Sequence, residues 1–237
     1  MTRSAGRLIA RSSDGLERAV SRLDDTGAGP VVTATADVSS RGELEDALSE
    51  IQAANGPVDV LVNNAGTGAY GPFATSDLAN LENALAINYL GTVYGTHALL
   101  PGMLERRRGH VVNISSVAGR VATPGECAYS GSKFAVVGFT QALAMELRGT
   151  GVGASMILPG PVDTNGLLKA DEDYTRSFPP KVSAERVALA TLRAVDRNLL
   201  EVVVPSWFRA VATFQAAFSG VVCRLPNSFF EHEDLPG

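Results

Sequence analysis

The stretch that decides the fold runs from His110 to Lys133 and has the sequence HVVNISSVAGRVATPGECAYSGSK. It opens with a short, largely apolar run, His110–Ile114, which has the length and composition of a buried β-strand. It ends inside a longer amphipathic segment, Ala128–Leu147, which has the length of a helix. An apolar strand followed by a helix is typical of a βα unit in a parallel sheet, because helices cover both faces of such a sheet.

The same alternation of short apolar runs and longer amphipathic segments continues in both directions along the chain. Further strands are predicted at Arg7–Ala10, Val31–Ala36, Val58–Val62, Ala154–Leu158 and Leu200–Val204. Further helices are predicted at Asp14–Leu23, Arg41–Ala53, Asp77–Glu105 and Ala184–Arg197. No linker divides this pattern, so we expect residues 1–237 to form one α/β domain with a doubly wound parallel sheet.

Composition and charge argue against several classes of protein. The chain has 20 Lys and Arg against 25 Asp and Glu, a formal net charge of -5, which on average repels a nucleic-acid backbone. Cys127 and Cys223 are too few for a disulfide framework, and no cluster has the spacing of metal ligands. No apolar run is long enough to span a bilayer. We expect a cytoplasmic protein that binds neither metal nor nucleic acid and does not rely on membrane contact.

Tyr129 and Lys133 lie four residues apart on the predicted helix Ala128–Leu147. This spacing places a phenol and an ammonium group on one helix face, one turn apart. A nearby cation favours the phenolate, so we expect the pKa of the tyrosine to be lowered toward the working pH. Such a tyrosine can donate a proton to a carbonyl or accept one from an alcohol. On spacing alone, a surface pair is the commoner interpretation.

Ser116 and Asn88 are two further candidates. Ser116 follows the strand His110–Ile114, and ligands of doubly wound sheets bind beyond the carboxyl ends of strands. Its hydroxyl could hydrogen-bond a substrate oxygen, or it could be a turn or cap residue. Asn88 is unusual inside the predicted helix Asp77–Glu105, because its amide competes for backbone hydrogen bonds. It could widen the helix locally and hold a water, or it could be an exposed residue without a role.

Five stretches, taken together and in order, resemble the short-chain dehydrogenase/reductase family. They are Leu61-Val-Asn-Asn-Ala-Gly66, Asn88-Tyr-Leu-Gly91, Asn113-Ile-Ser-Ser116, Tyr129-Ser-Gly-Ser-Lys133 and Pro159-Gly-Pro-Val-Asp-Thr164. The resemblance covers approximately residues 7 to 205. It implies a Rossmann-like fold and an oxidoreductase that transfers a hydride between a nicotinamide cofactor and a carbonyl or alcohol substrate.

The resemblance also implies a role for each catalytic candidate. Tyr129 would donate and accept the proton, and it would also contact the cofactor. Lys133 would lower the pKa of Tyr129 and hold the nicotinamide ribose hydroxyls. Ser116 would orient the substrate carbonyl, and Asn88 would anchor a water in a proton relay.

Cofactor-binding residues follow from the same resemblance. The residues against the adenosine side would be Asn64, Ala65 and Gly66, where glycine allows close backbone approach. The adenine would meet Asp37 and Val38. The motif after the strand Ala154–Leu158 would contact the nicotinamide end through Pro159, Gly160, the backbone of Val162, and Thr164.

The choice between NAD and NADP depends on the end of the strand Arg7–Ala10. A carboxylate there would bind the ribose 2′-hydroxyl of NAD, whereas an arginine accepts the 2′-phosphate of NADP. This chain has Arg11 at that point and no carboxylate until Asp14. Similar enzymes with Ala-Arg-Ser here prefer NADP, so the resemblance implies NADP (NADPH). Arg11 could instead be a solvated surface residue.

One part of the family pattern is absent. Members open with a strand, a glycine-rich turn and a helix whose backbone N–H groups cradle the cofactor's pyrophosphate. Here the spacing of Arg11, Asp37 and Asn64 is that expected if Arg11 follows the second strand. We therefore expect the first strand and its helix to be missing from the centre of the sheet.

A missing central strand has a physical consequence. The strands at Arg7–Ala10 and Val58–Val62 would either expose their edges or pair directly with each other. Our hypothesis is that the native chain starts upstream of Met1. The alternative is a catalytically inert binding protein that has kept the outline of the fold.

Three further features concern substrate and partners. The polar stretch Asn165–Pro180 is expected to be a substrate loop or a disordered one. Trp207–Leu225 is expected to be an amphipathic helix that packs over the domain, lines an apolar entrance or contacts a membrane surface. The helix Ala128–Leu147 is apolar on more than one face, which favours a homodimer or homotetramer over burial within one chain. The substrate is expected to be an apolar ketone, a steroid-like carbonyl or a fatty acyl carbonyl.

Overall fold

The computed structural model describes residues 6–24, 29–163 and 180–224. Thr164, nearly all of the predicted loop Asn165–Pro180, and Leu225 lie outside these residues. Within the described part the strands are β1 (Gly6–Ala10), β2 (Val31–Thr35), β3 (Val60–Asn63), β4 (Gly109–Ile114), β5 (Val152–Pro159) and β6 (Glu201–Val204). All of the strand pairs are parallel. The α/β fold and the positions of the predicted strands are confirmed.

The described strands form two separate sheets. One sheet has the order β1-β2 and the other has the order β3-β4-β5-β6. Of the two predicted outcomes for the centre of the sheet, exposed edges rather than direct pairing are observed. Val60 and Val62 of β3 are each 44% exposed. The guanidinium of Arg7 in β1 donates to the carbonyl oxygens of Pro57 (3.0 Å) and Asn55 (2.5 Å), which lie in the segment that leads into β3.

The described helices are α1 (Ser13–Asp24), α2 (Arg41–Asn55), α3 (Leu78–Leu85), α4 (Gly91–Glu105), α5 (Cys127–Glu146), α6 (Ala184–Arg197), α7 (Phe208–Ala217) and α8 (Ser219–Val222). Side-chain caps fix two of their starts, because Asp77 accepts from the N–H of Ala79 and Ser183 accepts from that of Arg186. None of the described helices is long and apolar enough to cross a bilayer.

The predicted helix over Asp77–Glu105 is confirmed, and it contains a π-helical turn, Ala86–Leu90, between α3 and α4. Asn88 lies inside this turn, and its backbone carbonyl accepts a hydrogen bond from the hydroxyl of Thr92 (3.0 Å). The expected local widening of the helix at Asn88 is therefore confirmed. Such π turns occur frequently at functional sites.

The prediction of one helix over Trp207–Leu225 is wrong. At Phe218 the backbone has φ -126° and ψ 34°, which is outside the helical region, and this divides the described part into α7 and α8. The predicted packing is limited to the start of α7, where Phe208 is the one buried side chain of that helix. Further along, Gln215 donates to the carbonyl of Ala122 (3.4 Å).

Helices cover both faces of the larger sheet. On one face α2, α4 and α5 enclose a core around Leu44, Leu99, Met103 and Val111. On the opposite face α6 encloses a second cluster, which consists of Val112, Ile157, Val182, Ala190, Ala194 and Val204. Every residue of β5 is buried, as expected for a strand that is hydrogen-bonded on both sides. The two clusters hold the carboxyl ends of β4 and β5 in a fixed position.

Candidate active site

The predicted catalytic residues gather beyond the carboxyl ends of β3 and β4. Ser116 follows β4 by two residues, and Tyr129 and Lys133 lie in the first two turns of α5. Asn88 lies on the π turn, which packs against α5. Gly66, in the loop after β3, joins these groups, because a Cβ built on it would lie 3.2 Å from Asn88 Oδ1 and 3.4 Å from Lys133 Nζ.

Ser116 has the cap role considered for it, and its role toward a substrate oxygen stays a prediction. Its hydroxyl accepts from the N–H of Ala118 (3.1 Å) and so caps a 3₁₀ turn, Val117–Gly119. The same hydroxyl is hydrogen-bonded to Tyr129 and donates over a long distance, 3.4 Å, to the carbonyl of Pro159. The cap holds the serine rigidly while its hydroxyl stays beside the phenol.

The pKa of Tyr129 departs from the sequence-based expectation. Burial raises it, the hydrogen bond with Ser116 acts in the opposite direction, and the negative charge of Glu126 raises it further. Lys133 is near, with its ammonium nitrogen 5.7 Å from the centroid of the Tyr129 ring. Desolvation of the phenol outweighs the groups that favour phenolate. The predicted lowering of the pKa is therefore not observed.

Lys133 is almost completely buried. Its side chain is 5% exposed, and its ammonium group donates to the carbonyl of Ile114 (3.2 Å). Burial lowers the pKa of Lys133 to about 8, because desolvation disfavours the charged form. A cation is thus held at the end of β4 at a cost in stability, which is typical of functional rather than structural positions.

Asn88 connects the loop after β3 to α5. Its Oδ1 accepts from the N–H of Thr67 (2.8 Å), and its Nδ2 donates to the carbonyl of Thr67 (2.9 Å) and the hydroxyl of Ser132 (2.9 Å). Ser132 in turn donates to the carbonyl of Tyr129 (2.8 Å). The amide therefore positions two segments of the site, and the role of Asn88 as a water anchor stays a prediction.

The residues predicted to meet the adenosine lie at the same edge. Asn64, Ala65 and Gly66 are exposed in the loop after β3. Arg11 follows β1, and its guanidinium lies 3.9 Å from a carboxylate oxygen of Asp37, which follows β2. Hydrogen bonds from the hydroxyl and the N–H of Ser39 lower the pKa of Asp37.

Val38 and Gly160, two of the residues predicted to contact the cofactor, also pack against neighbouring elements. Val38 packs against the start of α4, where a Cβ on Gly91 would lie only 3.0 Å from it. Gly160 donates to the carbonyl of Val204 (2.7 Å), and a Cβ there would lie 2.9 Å from the Phe208 ring. Val162 forms a parallel bridge with Val182. Pro159 lies beside Ser116, whose hydroxyl donates to its carbonyl, while Thr164 lies outside the described residues.

Comparison with known proteins decides the family. Residues 5–175 match the family model described as short chain dehydrogenase. The chain belongs to the short-chain dehydrogenase family. Mouse 3-ketodihydrosphingosine reductase is 34% identical over 198 residues, which cover 82% of this chain and 59% of the relative. The chain thus spans less than two thirds of that relative's length.

Solved structures of the family have the same fold. A short-chain dehydrogenase/reductase from Burkholderia phymatum in complex with NAD superimposes with a TM-score of 0.81 at 27% identity, over 91% of this chain and 85% of that chain. Actinorhodin polyketide ketoreductase with NADPH superimposes with a TM-score of 0.68 at 33% identity, over 89% of this chain and 78% of that chain. The two neighbours contain different nicotinamide cofactors.

A buried polar ladder in this short-chain dehydrogenase was missed by the sequence reasoning. Asn63 and Asn113 are register partners in β3 and β4, and Asn63 Nδ2 donates to Asn113 Oδ1 (2.8 Å). Asn63 also donates to the hydroxyl of Thr96 (3.1 Å), and Asn113 donates to that of Thr140 (2.8 Å). The ladder joins α4 and α5 through the sheet. Its signal in the sequence was an asparagine in each of two otherwise apolar strands.

Among the described residues, the other reactive side chains do not gather into a second site. Cys127 is a free, exposed thiol two residues before Tyr129. His110 is buried against Ser155 (2.8 Å), and burial lowers its pKa. In the described part of the chain, no cluster of His, Cys, Asp and Glu could hold a metal ion.

Proposed function

We propose that this short-chain dehydrogenase is an NADP-dependent oxidoreductase that interconverts an apolar carbonyl compound and its alcohol. One observation carries the proposal. The buried cation of Lys133, the phenol of Tyr129 and the hydroxyl of Ser116 share one edge of the sheet, with Ser116 hydrogen-bonded to Tyr129. Proton transfer by a positioned side chain requires such an arrangement.

The residues present fit the two ends of a nicotinamide dinucleotide. At the nicotinamide end, the Lys133 ammonium, which donates to the Ile114 carbonyl at the end of β4, can reach ribose hydroxyls. At the adenine end, Arg11 and Asp37 follow adjacent strands. Among the described residues we assign none to the middle of the dinucleotide. When bound, the cofactor supplies or accepts the hydride.

Side chains of this protein would donate and accept the proton in the proposed reaction. Ser116 donates a hydrogen bond to the substrate oxygen, which it can do by giving up its long bond to the Pro159 carbonyl. Tyr129 transfers its phenolic proton to the same oxygen as the carbonyl becomes an alcohol, and it takes a proton back in the reverse direction. The ammonium of Lys133 stabilises the resulting phenolate.

The preference for NADP is tested at Arg11. Its side chain is 65% exposed and lies at the end of β1, so it can form charge-assisted hydrogen bonds with a 2′-phosphate. We expect Arg11→Ala to raise the KM for NADPH about tenfold, from the loss of such a bond, and to leave the KM for NADH within about two-fold. Steady-state kinetics with both cofactors measures this. The matched control is Arg22→Ala, an exposed arginine in the last turn of α1. A parent enzyme that prefers NADH would refute the assignment.

The apolar substrate is supported by two features. Tyr70 and Phe73, both exposed, lie in the segment that follows the Asn64–Gly66 loop. The mouse relative is named for the reduction of a keto group on a sphingoid compound.

A catalytically inert binding protein is the second candidate, because the sheet is open between β1 and β3. NADPH binding, followed by the fluorescence of the cofactor, separates the two candidates. Binding is expected for the oxidoreductase, and the absence of binding would favour the inert protein.

We also propose a homodimer or homotetramer that forms through α5. The apolar positions of this helix divide into buried residues, which include Val136, Val137 and Leu143, and two large exposed ones, Phe134 and Met145. Phe139 packs on the core of its own chain. We expect light scattering at about 10 µM to give a dimer or a tetramer, and Met145→Arg to give a monomer, because a charge at an apolar interface core is disfavoured. A monomeric parent protein would contradict the proposal.

A further inference from the structure

Tyr70 lies against the proton-donating residue of the site. Its ring centroid is 5.6 Å from that of Tyr129, and the two planes are inclined by 44°. Tyr70 is nevertheless 48% exposed, so part of its side chain remains accessible beside Tyr129. The ring also lies directly over Gly68, where a Cβ would overlap it. The glycine therefore leaves room for the aromatic ring beside the loop.

The loop that carries Tyr70 is held at both ends. On one side, both backbone groups of Thr67 are hydrogen-bonded to the Asn88 amide (2.8 and 2.9 Å). On the other side, the N–H of Gly71 donates to the carbonyl of Gly125 (2.8 Å). Gly71 has φ 120°, a conformation that favours glycine. Gly125 shortly precedes α5, so the same segment that positions Tyr129 also positions Tyr70.

A fixed and partly exposed ring beside the proton donor has a chemical consequence. A carbonyl that reaches the Tyr129 hydroxyl brings its substituents alongside Tyr70. Aromatic rings favour offset or edge-to-face contact with other flat rings at centroid separations of about 4.5–7 Å. A linear alkyl chain gains no such geometry-dependent contact.

We infer that Tyr70 is a specificity-determining residue that favours substrates with a flat ring next to the reacting carbonyl. This inference rests on the proposed function, because it assumes that Tyr129 meets the carbonyl. It assigns a substrate class, aryl and related planar ketones, within the broader group of apolar carbonyl compounds. It also gives the ring of Tyr70, rather than its hydroxyl, the selective role.

The test compares two ketones of equal carbon number, acetophenone and 2-octanone. We expect Tyr70→Ala to raise the KM for acetophenone about tenfold and the KM for 2-octanone less than about two-fold, with kcat retained for both. Tyr70→Phe should keep the parent preference. Leu189→Ala, which removes an exposed apolar side chain on α6, should leave the ratio unchanged. An equal loss for both ketones, a fall in kcat alone, or no change would each overturn the inference.

A second measurement separates this inference from the proposed function. If the parent protein reduces neither ketone with NADPH or NADH, the proposed function fails. Saturation-transfer NMR of acetophenone with the parent protein and with Tyr70→Ala then decides the role of Tyr70. Binding to the parent protein that is lost in Tyr70→Ala supports the inference. Equal signals from both proteins, or no signal from the parent protein, contradict it.

Discussion

Tyr129→Phe is expected to lower kcat by about 10³-fold, because the variant lacks the proton that the reaction transfers. The ring itself should stay in place, since its contact with Tyr70 does not depend on the hydroxyl. The hydrogen bond with Ser116 would be lost. Steady-state kinetics in both directions measures kcat, and fluorescence titration with NADPH should show an affinity within about two-fold of the parent value.

The control for this variant is Tyr94→Phe, which removes a hydroxyl from a tyrosine on α4 that packs against the core cluster around Met103. We expect its kcat to match that of the parent enzyme. Turnover by Tyr129→Phe at the parent rate would remove the basis for the enzymatic proposal. A large loss of NADPH affinity in the same variant would instead assign Tyr129 to cofactor binding.

Lys133→Met is expected to abolish turnover and at the same time to raise the free energy of unfolding at pH 7. Burial lowers the pKa of this lysine from its ordinary 10.5 to about 8, which corresponds to roughly 3 kcal/mol of lost stability while the group is charged in both states. Methionine also loses the hydrogen bond to the Ile114 carbonyl, which offsets about 1 kcal/mol of the gain. We therefore expect a net gain of about 2 kcal/mol, measured by urea denaturation.

The lowered pKa of Lys133 also predicts how the stability of the parent protein changes with pH. Between pH 8 and 10.5 the unfolded chain retains the lysine proton and the folded chain has lost it, so the stability of the parent protein rises with pH in this range. The difference in the free energy of unfolding between Lys133→Met and the parent protein should therefore shrink as the pH rises from 8 to 10.5. Lys181→Met, which removes an exposed lysine, is the control for the loss of one positive charge. A variant that is less stable than its parent at pH 7 would show that Lys133 is mainly structural.

The local order of the fold could be predicted from the sequence because parallel strands buried on both faces are short and apolar. β4 and β5 follow this rule, and their predicted positions agree with the structure. The positions of Ser116 and Tyr129 were predictable for a related reason. The first follows a strand and the second begins a helix, so the topology alone brings them to one edge of the sheet.

Other features of the site depend on contacts between distant parts of the chain. The spacing of Tyr129 and Lys133 predicts proximity but not burial, and burial decides the direction of the pKa of Tyr129. Asn88 could be identified as unusual, but its partner Thr67 lies 21 residues away. Tyr70 carries no signal in the sequence, because its contact with Tyr129 exists only after the loop at Gly71 is tied to Gly125.

The break between β1 and β3 affects the distance between Arg11 and Tyr129, which lie at the two ends of the proposed cofactor site. In a continuous sheet, a ladder of peptide hydrogen bonds fixes the distance from the first strand to the last. Here Arg11 follows β1 of the smaller sheet, and Tyr129 lies on α5, which packs on β5 of the larger one. Arg7 and the apolar contacts of Ile9 with the α2 core connect the two. The distance between Arg11 and Tyr129, which the proposed cofactor would bridge, is therefore set by side-chain contacts, and substitutions at Arg7 or Ile9 would alter it without changing either residue.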